Sequence, residues 1–140
     1  MSDKRRTFTF IIGRPPEVLG ANSRAPWQVK HRRGRAYAAD VGEEIFLQIG
    51  GWPALHCAPW ENGRLASTHY FRGAVGDADN CVAGLKPIID VLKVATPRTG
   101  QRYQLGILRD DRRLEVLAPE RVPSAGKALA GYIKIKLEVW

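Results

Sequence analysis

Alternation of apolar and polar residues is clearest near the C-terminal end of the chain. The polar residues of Tyr132–Trp140 alternate with Ile133, Ile135, Leu137 and Val139. A period of two residues predicts a β-strand with one buried face. Shorter runs rich in strand-forming residues predict further strands at Thr7–Ile12, Arg64–Phe71, Tyr103–Leu108 and Arg113–Leu117. Pro119–Ala125 is typical of a loop.

Two other segments carry apolar residues at the spacing of a helix. The first helix is predicted at Tyr37–Ile49, where Gly50 follows it. The second follows Asp79 and contains Cys81, Val82, Leu85, Ile88, Ile89 and Leu92. Pro87 interrupts this second pattern, and proline removes one helical hydrogen bond. Either the helix kinks there, or its main part begins near Lys86.

Length and composition favour one folded domain over residues 1–140, with residues 1–6 flexible. A chain of 140 residues can bury a core without disulfides, and its apolar fraction of 44% is too high for a disordered protein. Strands and helices together predict the α/β (α+β) class, with a small mixed sheet packed against two main helices. No apolar run is long enough to span a membrane. Nothing in the first residues indicates export.

The two cysteines, Cys57 and Cys81, fit neither a metal site nor a disulfide framework. We therefore expect reduced thiols and a cytoplasmic protein. The formal net charge of +8 favours a polyanionic partner, with nucleic acid first. The densest basic cluster is predicted to precede the first helix and contains Lys30, Arg32, Arg33 and Arg35; Arg98 and Arg102 lie in a second basic loop. Trp27 is either a stacking face for DNA or, the reading we favour, a core or interface anchor.

Acidic residues form two groups that suit a hard cation. Asp77 and Asp79 are one residue apart just before the second helix, and Asp110 and Asp111 are adjacent further along. Mg²⁺ prefers oxygen ligands and takes only a few carboxylates from the protein. Taken singly, the first group is also typical of a turn and helix cap, with Asp79 or Asn80 as the cap residue. The second group taken singly is typical of a solvated turn, and both structural interpretations stay open.

The acidic core, with the residues around it, resembles the RusA family of Holliday junction resolvases. The resemblance rests on Asp77-Ala78-Asp79-Asn80, on Lys86 with Ile89-Asp90-Val91-Leu92, and on Gly106-Ile107-Leu108-Arg109-Asp110-Asp111. It implies a homodimeric endonuclease that uses Mg²⁺, with Mn²⁺ as a substitute, to cleave four-way and other branched DNA. It also implies metal ligands at Asp77, Asp79 and Asp111, with Asp110 as the weaker candidate, and a catalytic lysine at Lys86.

Two departures from the family pattern leave other functions open. Ala83 stands where the family usually has its lysine, and the segment Ala95–Gln104 is longer than usual. The first alternative is a basic DNA-binding protein that keeps the fold without catalysis. The second is a nuclease that acts on flapped or other branched DNA.

Overall fold

The strands form one mixed sheet. A computed structural model describes residues 5–20, 23–94 and 104–140. In chain order the elements are β1 (Arg6–Gly13), α1 (Trp27–Gln48), β2 (Gly63–Tyr70), α2 (Ala78–Leu92), β3 (Leu114–Val116), β4 (Glu120–Val122) and β5 (Tyr132–Val139), with short 3₁₀ helices at Glu17–Leu19 and Trp52–Leu55. The strand order is β1-β5-β2-β3, and β4 also pairs with β2. The α+β class, with two helices packed on a mixed sheet, is therefore confirmed.

The predicted alternation in β5 is confirmed. Ile133, Ile135, Leu137 and Val139 have no exposed surface, whereas Lys134 and Lys136 are exposed on the other face. β5 pairs antiparallel with β1 and with β2, and the registers place Ile135 opposite Phe10 and Ser67. One face of the sheet thus forms one side of the core. Each fully buried aliphatic side chain contributes about 1.5–3 kcal/mol relative to an exposed one.

Both helices cover the buried face. Ala38, Val41 and Ile45 of α1 join the same core cluster as the strand residues. α2 adds Leu85, Ile88 and Leu92, as the sequence predicted, together with Val91, whereas Val82 of the predicted pattern is exposed. α2 continues through Pro87 from Ala78 to Leu92, so the alternative of a helix that begins near Lys86 is wrong.

Helix α1 begins ten residues earlier than predicted. It starts at Trp27 after Pro26, so the basic cluster lies on the first turns of the helix and not before it. The sequence pattern missed this because polar and basic residues dominate the first half of α1, where few apolar positions mark a helical face. Pro26 is compatible with a helix start, since the fixed φ of proline suits the N-terminal turn.

The chain after α2 also differs from the predicted pattern. Gln104–Leu108 contains no strand; Leu108 makes only isolated bridges to Trp60 and Lys93. Gly106 has a φ of 66°, which interrupts any extended run there. Tyr103 lies outside the described residues. Conversely, β4 occupies Glu120–Val122 in the segment expected to be a loop, because it continues alongside β2 beyond β3.

The outer edge of β1 is covered by side chains of α1. The Gln48 amide accepts a hydrogen bond from the Ile11 N–H at 2.8 Å and donates one to the Ile11 carbonyl at 2.7 Å. The Tyr37 hydroxyl donates to the Gly13 carbonyl at 2.6 Å. An exposed strand edge is a template for unwanted pairing, so these contacts both attach α1 to the sheet and satisfy part of that edge.

Close packing at Gly76 generates a prediction about stability. A Cβ built on Gly76 would lie 2.7 Å from the ring of Phe71, whereas one on Gly73 in the same loop would meet nothing within 4 Å. We expect Gly76→Ala to lower the free energy of unfolding by about 1–3 kcal/mol through overpacking. Gly73→Ala, the matched control, should leave it unchanged or raise it by up to about 1 kcal/mol. Urea unfolding of both variants measures this, and equal midpoints would contradict the close contact.

Candidate functional site

The Asp77–Asp79 loop lies at one end of the sheet. β1 and β2 each pair antiparallel with β5, so they run in the same direction and their carboxyl ends meet at one edge. The chain leaves β2 at Tyr70 and reaches α2 at Ala78 across this edge. Arg121 of β4 donates a hydrogen bond to the Gly76 carbonyl at 2.9 Å and ties the loop to the sheet. Ligand sites of α/β folds tend to occur at this position.

The first acidic group forms the N-terminus of α2. Asp77 is the N-cap residue, and its Oδ1 accepts the Asp79 N–H at 2.9 Å. Asp79 lies in the first turn, where a negative charge interacts favourably with the helix dipole. A helix cap in this acidic group is therefore confirmed, but the cap residue is Asp77 and not Asp79 or Asn80 as predicted. It leaves the second oxygen of Asp77 and the exposed carboxylate of Asp79 at the same end of the helix.

The second acidic group lies at the other end of α2. Asp111 is 3.9 Å from the ammonium of Lys93, which also contacts Asp90 at 3.2 Å. Eleven residues separate Asp79 from Asp90, which is about 16 Å along the helix axis at 1.5 Å per residue. Asp111 is thus not brought to Asp77 and Asp79 within one chain.

Asp110 has a local structural role. Its carboxylate accepts the Arg112 N–H at 2.8 Å and pairs with the Arg112 guanidinium at 3.0 Å. These two hydrogen bonds hold the pKa of Asp110 below its usual value. The interpretation of this pair as part of a turn is the one that the contacts support for Asp110.

The donor set fits a magnesium ion only in part. Across residues 5–20, 23–94 and 104–140 no group of three or more His, Cys, Asp or Glu side chains could hold a metal. Asp77 and Asp79 are hard oxygen donors on one helix turn, and two carboxylates are enough for Mg²⁺ when water and phosphate complete its shell. Asp110 and Asp111 do not fit such a site within a single chain.

A basic groove runs between α1 and α2, and we call it the α1–α2 groove. Its volume is about 380 Å³, and its walls include Trp27, Lys30, His31, Gly34 and Arg35 of α1 and Ala83, Lys86, Pro87 and Asp90 of α2. Lys30 is partly buried and donates to the Ser23 carbonyl at 2.8 Å, while Arg35 and Lys86 are exposed. Three cations thus line the groove, and Asp90 is the carboxylate among the described residues of its walls.

The structure divides the predicted DNA-binding residues into three sets. Lys30 and Arg35 line the α1–α2 groove. Arg32 and Arg33 are exposed on α1 but do not line it. Arg98 and Arg102 lie outside the described residues.

Trp27 lies at the N-terminus of α1 and is 71% exposed. Its ring stacks on His31, with centroids 5.0 Å apart and planes 14° from parallel. A core role for Trp27 is therefore wrong, because the residue precedes the buried part of α1. The exposed ring remains suited to stacking or to an interface.

A larger cavity, which the sequence did not predict, lies beside Asp77; we call it the β2–α2 cavity. Its volume is about 550 Å³. The walls come from three parts of the chain: the segment after β1, the end of β2, and the start of α2. The residues are Arg14, Pro15, Pro16, Glu17, Leu19, Gly20 and Ser23 from the first, His69 and Phe71 from the second, and Gly76, Asp77, Asn80, Cys81 and Gly84 from the third. Ile133 of β5 also lines it. No local sequence signal links these segments, since only the sheet topology brings them together.

His69 is the most buried polar residue of this cavity. It is 1% exposed, and its Nε2 lies 3.0 Å from the Ser67 hydroxyl. Burial, assisted by the positive charge of Arg14, lowers the pKa of His69 to about 4. The imidazole is therefore neutral at physiological pH.

Neither the protein-family models nor the curated protein sequences searched contain a match to the chain. Among the described residues, no helix combines the length and the apolar character needed to cross a membrane.

Burial of His69 generates a prediction about pH. Its folded pKa lies below the unfolded value of 6.5, so the unfolded chain binds the proton more tightly and stability falls as the pH is lowered through this range. Between pH 6.5 and pH 5 we expect this residue to remove up to about 2 kcal/mol from the free energy of unfolding. His69→Gln should lose that part of the pH dependence in urea titrations. His31→Gln, a control at an exposed position, should keep the pH dependence of the wild type. Identical pH profiles for the wild type and His69→Gln would contradict the role of His69 in this pH dependence.

Proposed function

We propose that the protein is a Mg²⁺-dependent endonuclease that cleaves branched DNA, with four-way junctions as its first substrate, and that it acts as a homodimer in the cytosol. One observation carries the proposal: the acidic end of α2 and the basic α1–α2 groove share one helical stripe. Asp79, Ala83, Lys86 and Asp90 are spaced by three or four residues and lie on the same side of α2.

The α1–α2 groove supports binding to a DNA backbone. Phosphate oxygens pair with Lys and Arg side chains, and Lys30, Arg35 and Lys86 provide three cations along the groove. Trp27 stands exposed at its rim and can stack on a base that is not paired. A backbone that follows this groove towards the N-terminus of α2 reaches Asp79.

The acidic end of α2 supports hydrolysis at that point. Asp77 and Asp79 would hold the ion, and a bound Mg²⁺ would stabilise negative charge on the phosphodiester and favour attack by water. The helix N-terminus holds the Asp77 side chain, whose Oδ1 accepts the Asp79 N–H, and the exposed Asp79 carboxylate lies in the same turn. Lys86 lies seven residues beyond Asp79, about 10 Å along the axis. It is therefore placed to neutralise a phosphate next to the reacting one.

A second candidate function is DNA binding without catalysis. The position of Asp111 favours it, because this carboxylate contacts Lys93 at the far end of α2 and does not complete a three-acid site in one chain. The basic groove is the same in both proposals. Binding and cleavage must therefore be measured separately.

The binding proposal predicts a specific salt dependence. A plot of log Kobs against log salt concentration has a negative slope, and removal of one phosphate contact makes this slope shallower by about 0.9 for duplex DNA. We expect Lys86→Ala and Arg35→Ala each to weaken junction binding. Each should also make the slope shallower by the amount that corresponds to about one phosphate contact. Lys134→Ala removes the same charge from the open face of the sheet and should change neither quantity. Anisotropy titrations at several salt concentrations test this, and equal effects of all three variants would refute a localised groove.

The cleavage proposal predicts that paired cuts in a labelled four-way junction require Mg²⁺. Asp79→Asn should reduce the rate by at least about 100-fold, since even outer partners of metal ligands contribute 10- to 100-fold. Asp111→Asn, the matched control, should retain most of the activity if one chain forms the site. Anisotropy confirms that both variants still bind the junction.

The remaining outcomes identify the alternatives. A junction that is bound but never cut with Mg²⁺ or Mn²⁺ favours the non-catalytic function. If flaps or linear duplex are cut as readily as junctions, the four-way junction is not the preferred substrate. Inactivation by Asp111→Asn as complete as that by Asp79→Asn would mean that Asp111 reaches the site from a second copy of the chain.

A further inference from the structure

We infer that the β2–α2 cavity holds the base of an unpaired nucleotide at the branch point of the DNA. The inference rests on the proposed function, because it names the part of the branched substrate that occupies a cavity beside Asp77. The volume of about 550 Å³ lies within the range of roughly 300–1,000 Å³ that is typical of small-molecule sites. Asp77 lines the cavity, so a bound nucleotide has its backbone near the acidic end of α2.

The walls have the composition that a flat heterocycle needs. Apolar walls come from Pro15, Leu19 and Phe71, with the buried Ile133 behind them. Enzymes that extrude a base commonly hold it between aromatic or apolar side chains and bind its edge by hydrogen bonds.

His69 lines the cavity and supplies a polar group for that edge. Its Nε2 is taken by Ser67, and among the described residues no contact involves its Nδ1. No fully buried side-chain nitrogen or oxygen in these residues lacks a hydrogen-bond partner, so Nδ1 must retain contact with the cavity. Because the imidazole is neutral, Nδ1 presents one donor or one acceptor according to the tautomer. A nucleobase edge offers both kinds of partner.

Arg14 forms the rim. Its guanidinium lies 4.1 Å from the centroid of the Phe71 ring and donates to the Tyr70 carbonyl at 2.7 Å. The exposed side chain is thus fixed over the cavity by two contacts and presents positive charge where the phosphate of an entering nucleotide would pass. Gly76 allows Phe71 to take this position, since any Cβ there would meet the ring.

An unpaired base is favoured over a paired one on energetic grounds. Extrusion costs unstacking and unpairing energy, which is least for a base that is already single-stranded or mismatched. Fully paired duplex would therefore occupy the α1–α2 groove without filling the cavity. The cavity would then add selectivity for branched DNA to a groove that binds any backbone.

The test is photo-cross-linking of the full-length wild-type protein to a four-way junction that carries one 5-iododeoxyuridine. The base analogue is placed at the branch point, or in a paired arm as the control, and EDTA prevents cleavage. Cross-linked peptides are located by mass spectrometry. We expect the branch-point base to label the cavity residues Phe71 or His69, and the paired base not to label them. A junction that is bound, yet labels only Trp27 or His31, would assign the unpaired base to the α1–α2 groove and overturn the proposal.

Variants provide a second measurement. Arg14→Ala removes the positive charge at the rim and the guanidinium that packs on the Phe71 ring. It should reduce binding to a junction with an unpaired branch-point nucleotide by roughly 5-fold or more, and the loss should not exceed the roughly 100-fold expected when stacking of one base is lost entirely. Its effect on fully paired duplex should be much smaller. Arg64→Ala is the matched control, because it removes the same charge at the opposite end of β2, where Arg64 pairs with Glu115 at 3.0 Å. Equal losses for both DNA substrates in Arg14→Ala would contradict the inference.

A competition experiment separates a base within DNA from a free nucleotide. Deoxynucleoside monophosphates at millimolar concentration should leave the Phe71 cross-link intact while the junction stays bound. If they abolish it, the cavity is a free-nucleotide site. Failure of the inference can be distinguished from failure of the proposed function. Labelling of the cavity without Mg²⁺-dependent cleavage would support the base site and contradict the nuclease function. Cleavage without labelling of the cavity would support the nuclease function and contradict the base site.

Discussion

The antiparallel pairing of β5 with both β1 and β2 is the constraint on which the rest of the structure depends. It makes β1 and β2 run in the same direction, and the loops that follow them therefore meet at one edge. The β2–α2 cavity exists only because of this arrangement, since its walls come from the chain after β1, the end of β2 and the start of α2. The buried alternation Ile133, Ile135, Leu137 and Val139 fixes the register, because a slip by one residue would turn these side chains to solvent.

Sequence patterns predicted the elements of this sheet better than they predicted its edges. The long strands and α2 were found because their apolar residues recur at the period of their secondary structure. The first half of α1 was missed because residues such as His31, Arg32 and Arg33 are exposed and carry no apolar period. β4 was missed because three residues are too few to show a period, and its position depends on pairing with β2.

The site was predicted less completely than the fold, because the two acidic groups lie far apart in the sequence. Asp77 and Asp79 are neighbours in sequence, so their common location follows from local geometry. Whether Asp111 joins them depends on the path of the chain after α2, which no spacing rule determines. In the structure Lys93 holds Asp111 beside Asp90, at the end of α2 remote from Asp79. Cooperation between the two acidic groups would therefore require a second copy of the chain.

Small residues on α2 explain how the groove and the cavity can approach the same helix. Ala83 lines the α1–α2 groove and Gly84 lines the β2–α2 cavity, so two adjacent positions face different sites. A Cβ on Gly84 would already lie 3.4 Å from the ring of Pro15, and a larger side chain would displace the segment after β1. At position 83 a lysine would project towards the wall formed by α1, whereas Ala83 leaves the groove open and the nearest cation on the stripe is Lys86. The absence of a lysine at position 83 thus widens the path for a backbone that passes between the two helices.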